Sequence, residues 1–197
     1  MKIILDLCGG TGSWSKPYRD AGYDVRVITK PGDDVATYHP PEGVYGVLAA
    51  PPCTMFSMAR TNAKLPRDLK GAMETVQHCL RIIWECQYNG NRLAFWVMEN
   101  PKARLRWFMG VPAMTFDPTD YGDPHHKATD LWGNFNTELV THPVGIPEGK
   151  KKQSHLSSEE LPPLPDDYVL PKDFDKRAAQ RSITPQGFAK AFFDANR

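Results

Sequence analysis

Three places in this chain put chemically useful residues where the backbone must turn. The first is Val47-Leu48-Ala49-Ala50-Pro51-Pro52-Cys53-Thr54-Met55-Phe56-Ser57, a short apolar run that ends in two prolines and a cysteine. Proline has no N–H to give a ladder, so the pattern predicts a buried strand that stops abruptly and hands Cys53 to a loop. In an open α/β sheet that edge is where ligands bind. A thiol placed there can act as a nucleophile, although a lone cysteine is also simply a small packed hydrophobe. The second place is Leu93-Ala94-Phe95-Trp96-Val97-Met98, an apolar strand followed by Glu99-Asn100-Pro101. A carboxyl just beyond such a strand is costly to bury without a partner, and burial raises its pKa so that it can hold a proton. The third is Lys2-Ile3-Ile4-Leu5-Asp6-Leu7 running into Cys8-Gly9-Gly10-Thr11-Gly12-Ser13-Trp14-Ser15. Strand, glycine turn and the helix implied by residues 15–21 make the first βα unit of a nucleotide-binding sheet. Glycines allow close backbone approach to a ligand, and a helix start presents free N–H groups. A tight structural turn would use the same glycines, and the dinucleotide fingerprint with its third glycine in register is not matched.

The elements that position these groups follow in order. Gly22-Tyr23 ends the first helix, and residues 24–29 read as a second strand. An acid just past that strand commonly accepts from ribose hydroxyls. Here the positions read Thr29-Lys30, and the nearest acids are Asp33 and Asp34. Either one of them reaches back, or the site is unusual; Asp34 with Val35 can also begin the next contact segment. A polar stretch, Met58 to Arg67, precedes a helix from about Asp68 to Tyr88, with Leu69, Met73, Val76, Leu80 and Ile83 on one face. Asn89-Gly90-Asn91 closes it. Residues 101–109 are basic and aromatic, with Lys102, Arg104, Arg106, Trp107 and Phe108, which suits a solvated helix face or phosphate contact. His125-His126 has no ligand-spaced partners, so no metal site is expected. Residues 141–177, rich in proline, lysine and acids and including Lys150-Lys151-Lys152, predict an extended, partly ordered excursion. From Arg181 the chain reads as a turn and an amphipathic helix that packs back on the sheet.

Composition narrows the class. At 197 residues, 41% of them hydrophobic and 24% charged, the chain suits one soluble domain with a full core. A formal charge of +1 means that nucleic-acid contact must come from local Lys and Arg clusters. Cys8, Cys53, Cys79 and Cys86 form no CxxC pair, and Cys79 and Cys86, seven apart in a helical pattern, read as core. No apolar stretch approaches the roughly 20 residues that span a bilayer, and the N-terminus lacks a signal peptide's apolar region, so a cytosolic, cytoplasmic protein is expected.

Four blocks therefore stand in one order: the glycine turn, Pro-Pro-Cys, Glu-Asn-Pro, and Tyr121-Gly122-Asp123-Pro124 followed by a cation. Together they resemble the DNA cytosine-5 methyltransferase family, well over the first 135 residues and loosely over the last 17. The resemblance implies a doubly wound, mostly parallel α/β sheet of the Rossmann-like methyltransferase type and S-adenosylmethionine as cofactor. It implies a catalytic core over 1–135, a reduced target-recognition excursion over 136–180 and a C-terminal helix over 181–197. Carried onto this chain, the nucleophile is Cys53, with Pro52 and Ser57 beside the substrate. The acid is Glu99, with Asn100 next to it. Lys127 stands at the first position of the family's Arg-x-Arg pair and Thr129 at the second, the latter touching substrate. The cofactor contacts are Asp6, Leu7, Cys8, Gly9, Gly10, Thr11, Gly12, Ser13, Trp14, Thr29, Asp34 and Pro51.

The implied chemistry explains the residue types. C5 of cytosine is a poor nucleophile, so a Cys53 thiolate adds to C6 and makes C5 enamine-like. Glu99 shares a proton with N3, and Lys127 donates to O2. A base inside a duplex is out of reach, which implies flipping. Departures accompany the matches: Cys8 replaces an aromatic, Thr29-Lys30 replace an acid, and Thr129 replaces an arginine. The short recognition segment offers phosphate contacts through Lys150, Lys151 and Lys152 but few base-edge contacts, so relaxed specificity or a partner protein is expected. Modification of a free pyrimidine nucleotide or a single strand, or a DNA-binding protein with a decayed cofactor site, are the alternatives. No membrane is implied.

Overall fold

The computed structural model of the chain describes residues 1–58, 60, 63–88, 92–143, 152–172 and 174–197. The first strand, β1 (Ile3–Leu7), is apolar except for Asp6 and is buried from Ile4 onward. Near-continuous apolar sequence is what a strand needs when it is covered on both faces. A five-residue helix, α1 (Lys16–Asp20), leads to β2 (Asp24–Ile28), whose more polar, half-exposed residues suit a sheet edge. Then come β3 (Val44–Ala49), the long helix α2 (Leu69–Tyr88), β4 (Phe95–Pro101), a short helix α3 (Arg106–Met109), β5 (Met114–Phe116) and β6 (Thr129–Asn134). Two helices, α4 (Lys176–Ser182) and α5 (Gln186–Ala195), follow, and short 3-10 turns lie at Pro118–Tyr121 and Gln153–His155.

The strands lie in the order β2-β1-β3-β4-β6-β5. The first four are parallel, and β6 runs antiparallel to both β4 and β5. This is the doubly wound, mostly parallel arrangement expected from the sequence. Side chains alternate along each strand. Leu5, Leu7, Val47 and Ala49 therefore meet Val76, Cys79, Ile82, Ile83 and Cys86 of α2 on one face. Ile4, Leu48, Phe95 and Val97 meet Trp14, Tyr18, Phe188 and Phe192 on the other. Phe188 also stacks on Phe116 with ring centroids 3.8 Å apart. Each such fully buried side chain contributes roughly 1.5–3 kcal/mol relative to exposure. No helix among the described residues is long and apolar enough to cross a membrane.

Three local expectations change. The buried stripe of α2 includes Cys79, Ile82 and Cys86, while Leu69, Met73 and Leu80 only flank it, because the cysteines act as small hydrophobes on the face nearest the sheet. The start of α2 is fixed by Asp68, whose Oδ1 accepts from the Gly71 N–H at 2.9 Å. The strand expected to end at Met98 continues through Glu99 and Asn100 to Pro101, because β6 pairs with those positions (Glu99 opposite Leu131, Asn100 opposite Asp130) and extends the ladder. Asn89, Gly90 and Asn91, expected to close α2, lie outside the described residues.

Candidate active site

Cys53 follows β3 in a turn closed by two backbone bonds to its own carbonyl, from Phe56 N at 3.0 Å and Ser57 N at 2.8 Å. Pro51 is buried and Pro52 is exposed, so the pair carries the chain out of the core to the edge. The tip of β4 fastens this loop. Asn100 is fully buried and donates from Nδ2 to the Pro51 carbonyl at 2.9 Å, and Arg104 N donates to the Phe56 carbonyl at 3.3 Å. The register Ala49 opposite Met98 puts Glu99 at the same end of the sheet as the Cys53 loop.

The thiol and the carboxyl share one electrostatic environment. Both residues keep some exposure, yet burial is the largest influence on each group and pushes both pKa values up. Lys127 opposes this at both groups, drawing the thiol and the carboxyl toward their ionised forms. Glu99 pushes the Cys53 thiol further up, and Arg181 pulls it down. The structure thus brings Cys53, Glu99 and Lys127 together and adds Arg181, a residue the sequence reading missed. Lys127 Nζ donates to the Arg181 carbonyl at 3.1 Å. An ammonium has three donors, so two remain for a substrate. The Arg181 Nε is buried and has no hydrogen-bond partner among the described residues. No sequence pattern marks Arg181; it comes into place because the turn after α4 docks on the glycine turn, where Thr184 N donates to Ser13 Oγ at 2.8 Å.

The glycine turn forms a second region. Asp6 is fully buried; Ser15 Oγ donates to its Oδ2 at 2.5 Å, while Oδ1 has no partner among the described residues. Burial raises its pKa to about 6, against the opposing pull of Ser15 and Arg19. A Cβ at Gly9 would overlap the Asp6 carboxyl group, so glycine is required there. Gly12 has φ of 66°, a left-handed conformation that also favours glycine. Gly10, Thr11, Gly12 and Thr29, with Lys30, Pro31, Gly32, Asp33 and the segment Asp167-Tyr168-Val169, line a cavity of about 320 Å³.

Other expected cofactor residues point elsewhere. Leu7 is core. Trp14 is 2% exposed and packs its ring against Phe188 and Phe192 at 6.1 and 5.6 Å, so α5 has drawn it into the core. Cys8, at φ 56°, turns its sulfur toward α2, 4.0 Å from Cys79 Sγ. Asp34 is taken by Lys30 Nζ at 2.9 Å and Ala36 N at 3.0 Å, whereas Asp33 lines the cavity. Thr129 is 2% exposed and its hydroxyl donates to the Lys127 carbonyl at 2.7 Å, which places it under the site as a support for Lys127 instead of against a substrate. Arg106 is no free phosphate ligand: it grips the buried Asp130 with Nε and Nη2, both at 2.5 Å. His126 Nδ1 lies 3.2 Å from Asp117 Oδ1, and among the described residues no group of three or more His, Cys, Asp or Glu could hold a metal. Lys150 and Lys151 lie outside the described residues, and Lys152 is exposed.

No family model matches the chain, and no curated protein sequence matches it significantly. Solved structures do. The Entamoeba histolytica methyltransferase EhMeth aligns over 99% of this chain and 97% of its own, with a TM-score of 0.54 at 9% identity. The Dnmt2 methyltransferase of S. pombe aligns with a TM-score of 0.46 at 12% identity, over 78% of this chain and 59% of that one. A triple mutant of Spodoptera frugiperda DNMT2 gives 0.42 at 16% identity, over 77% of this chain and 55% of that one. The chain therefore spans little more than half the length of either Dnmt2 structure. Sheet order, helices on both faces and the end-to-end alignment with EhMeth together show a doubly wound, Rossmann-like α/β fold, the fold of that methyltransferase.

Proposed function

We propose that the chain is an S-adenosylmethionine-dependent DNA cytosine-5 methyltransferase. The observation that carries this reading is the convergence of a thiol, a carboxyl and an ammonium, Cys53, Glu99 and Lys127, at one end of the sheet. A nucleophile, a proton-holding acid and a cation are the three groups that attack at C6 of a pyrimidine requires.

The glycine-turn region fits the proposed cofactor. S-adenosylmethionine carries a sulfonium and an ammonium, and Asp6 Oδ1, buried and without a partner among the described residues, complements a cation. The cavity lined by Gly10, Thr11, Gly12, Thr29 and Asp33 would hold the cofactor, with Asp6 buried behind Gly9 and acting on it through its charge. When bound, the cofactor supplies an electrophilic methyl group.

The chain's own residues do the rest. Cys53 acts as thiolate, favoured by Lys127 and Arg181 against the burial that opposes it. Its sulfur bonds to C6, and the electron pair displaced from the C5–C6 double bond makes C5 nucleophilic. Glu99, kept protonated by burial, donates to N3 and neutralises the negative charge pushed into the ring. Lys127 donates to O2 with an N–H not used on Arg181. Once C5 carries the methyl group, water takes the C5 proton, the C5–H electron pair re-forms the C5–C6 double bond and expels Cys53 as thiolate, and N3 returns its proton to Glu99.

The test is mass spectrometry of nucleosides from DNA incubated with protein and cofactor. The wild-type chain is expected to produce 5-methylcytosine, and Cys53→Ala none while still binding the cofactor. Absence of product from duplex, single strand and free nucleotide alike overturns the reading. A second reading, a nucleic-acid-binding protein without transfer activity, is favoured by Cys8 turning to Cys79 and by Asp34 being held by Lys30. Saturable calorimetric binding of S-adenosylmethionine rejects it.

A further inference from the structure

Beside the Cys53 turn lies a surface that the proposed chemistry does not use. Arg60 and Arg67, in the segment beyond the Cys53 turn, gather with Arg104, which follows β4. Arg67 donates to the Met55 carbonyl at 2.6 Å and to the Arg60 carbonyl at 3.2 Å, while Arg104 reaches Met58 Sδ at 3.0 Å. Among the described residues none of the three pairs with a carboxylate. Desolvation, then the charges of Arg104 and Arg60, disfavour the charged form of Arg67, as expected where like charges are crowded with no anion between them.

Apolar rings stand in the same place. Trp107 is 70% exposed, and the Arg104 guanidinium sits 5.4 Å from its ring centroid. Phe108 is 47% exposed and touches Phe56 edge-on, with centroids 6.3 Å apart. Single exposed hydrophobes need no explanation, but a ring held under an arginine beside two more arginines is a stacking surface with counter-charges for a backbone. A duplex keeps its bases stacked on one another and offers none to such a ring. Phosphates alone would need no aromatic, and an acidic peptide would need no flat ring.

We propose that Trp107 and Phe108, with Arg60, Arg67 and Arg104, form a platform for single-stranded nucleic acid, on which an unpaired base next to the target stacks while its phosphates meet the arginines. This deepens the proposed function, on which it rests in naming Cys53 as the destination of the target base. Phe108 touches Phe56, whose N–H closes the Cys53 turn, so the platform lies against the nucleophile's own loop.

Fluorescence anisotropy tests it on Cys53→Ala protein without cofactor, so that binding is read apart from methyl transfer. The probes are labelled single-stranded DNA, single-stranded RNA, the matching DNA duplex and a polyglutamate competitor. Single strands are expected to bind about tenfold or more tighter than duplex. Trp107→Ala is expected to weaken single-strand binding roughly 5- to 100-fold, with Trp107→Phe restoring most of it and the melting temperature unchanged. Arg104→Gln should reduce the slope of log K against log salt by about 0.7. Trp107→Ala within twofold of wild type, duplex bound as tightly as single strand, or polyglutamate displacing the strand at equal charge concentration each overturns the platform. Methyl transfer by the wild-type chain together with an insensitive Trp107→Ala would remove this inference and leave the proposed function standing. DNA and RNA arms that differ identify which strand the platform takes.

Discussion

The side-chain amide of Asn100 donates to the carbonyl of Pro51 at 2.9 Å, and both residues are buried. This one bond ties the tip of β4, which carries Glu99, to the loop that carries Cys53. Its partner groups are out of water, so deleting the donor leaves the Pro51 carbonyl unsatisfied, at a cost of about 1–3 kcal/mol. Asn100→Ala is therefore expected to lower the melting temperature and also to reduce kcat on the order of 100-fold, since a displacement of about 1 Å at the reacting groups has that effect. Thermal unfolding and steady-state kinetics at a temperature where the variant is fully folded separate the two losses. Loss of stability with unchanged kcat would show that the bond does not set the geometry.

The two reacting groups need opposite protonation states, which fixes the shape of the pH profile. Activity rises with pH as Cys53 ionises and declines as Glu99 gives up the proton that burial holds on it. Glu99→Gln keeps a neutral donor at the site but no titrating group. Its kcat should drop by about 10²- to 10⁴-fold, and its alkaline decline should vanish, leaving activity that rises with pH to a plateau set by Cys53 alone. Retention of the alkaline decline would assign that limb to another residue.

How far the sequence reached depended on how local the signal was. Cys53 and Glu99 were legible as candidates because an apolar run leads up to each, and the fold followed from the order of strands and glycine turn. Glu99 was placed one step too late in the element, since the extension of β4 depends on pairing with β6, some 30 positions away, which no local pattern records. Arg106 looked like its neighbour Arg104 in a basic run. Only the buried carboxylate of Asp130, brought alongside by β6, distinguishes an internal ion pair from an exposed cation. Trp14 sat among glycines of a ligand turn, yet α5 near the chain's end claims its ring. Arg181 lies 128 positions after Cys53 and joins the site only through tertiary docking.

Arg181 supplies charge to the nucleophile, and that role can be read without turnover. Among the influences on Cys53, Arg181 favours the thiolate. Arg181→Gln should shift the pH dependence of Cys53 alkylation by iodoacetamide upward, with a several-fold slower reaction near pH 8, in a protein whose other cysteines are replaced by alanine or serine. Arg181→Lys should restore much of the rate because the charge persists. A Gln variant that alkylates like wild type across the pH range would leave Arg181 without influence on the thiol.

Asp6 gives a stability prediction with the opposite sign from an ordinary salt-bridged carboxylate. Its ordinary value is 3.8 and its value in the fold is about 6. Between those limits the folded chain holds a proton that the unfolded chain has released, so this group's contribution to stability falls as pH rises from about 4 to 6. Above that range the penalty of a buried carboxylate is complete, at roughly 3 kcal/mol. Asp6→Asn retains the shape and can still accept from Ser15. It should therefore raise the unfolding free energy by about 1–3 kcal/mol at pH 7.5, allowing for a weaker bond from Ser15, and by little at pH 4. The same variant should weaken S-adenosylmethionine binding, since it removes the negative charge offered to the cofactor's cationic centres. Denaturation at the two pH values with calorimetric titration of the cofactor tests both halves. Greater stability with undiminished affinity would place the cofactor's charge away from Asp6.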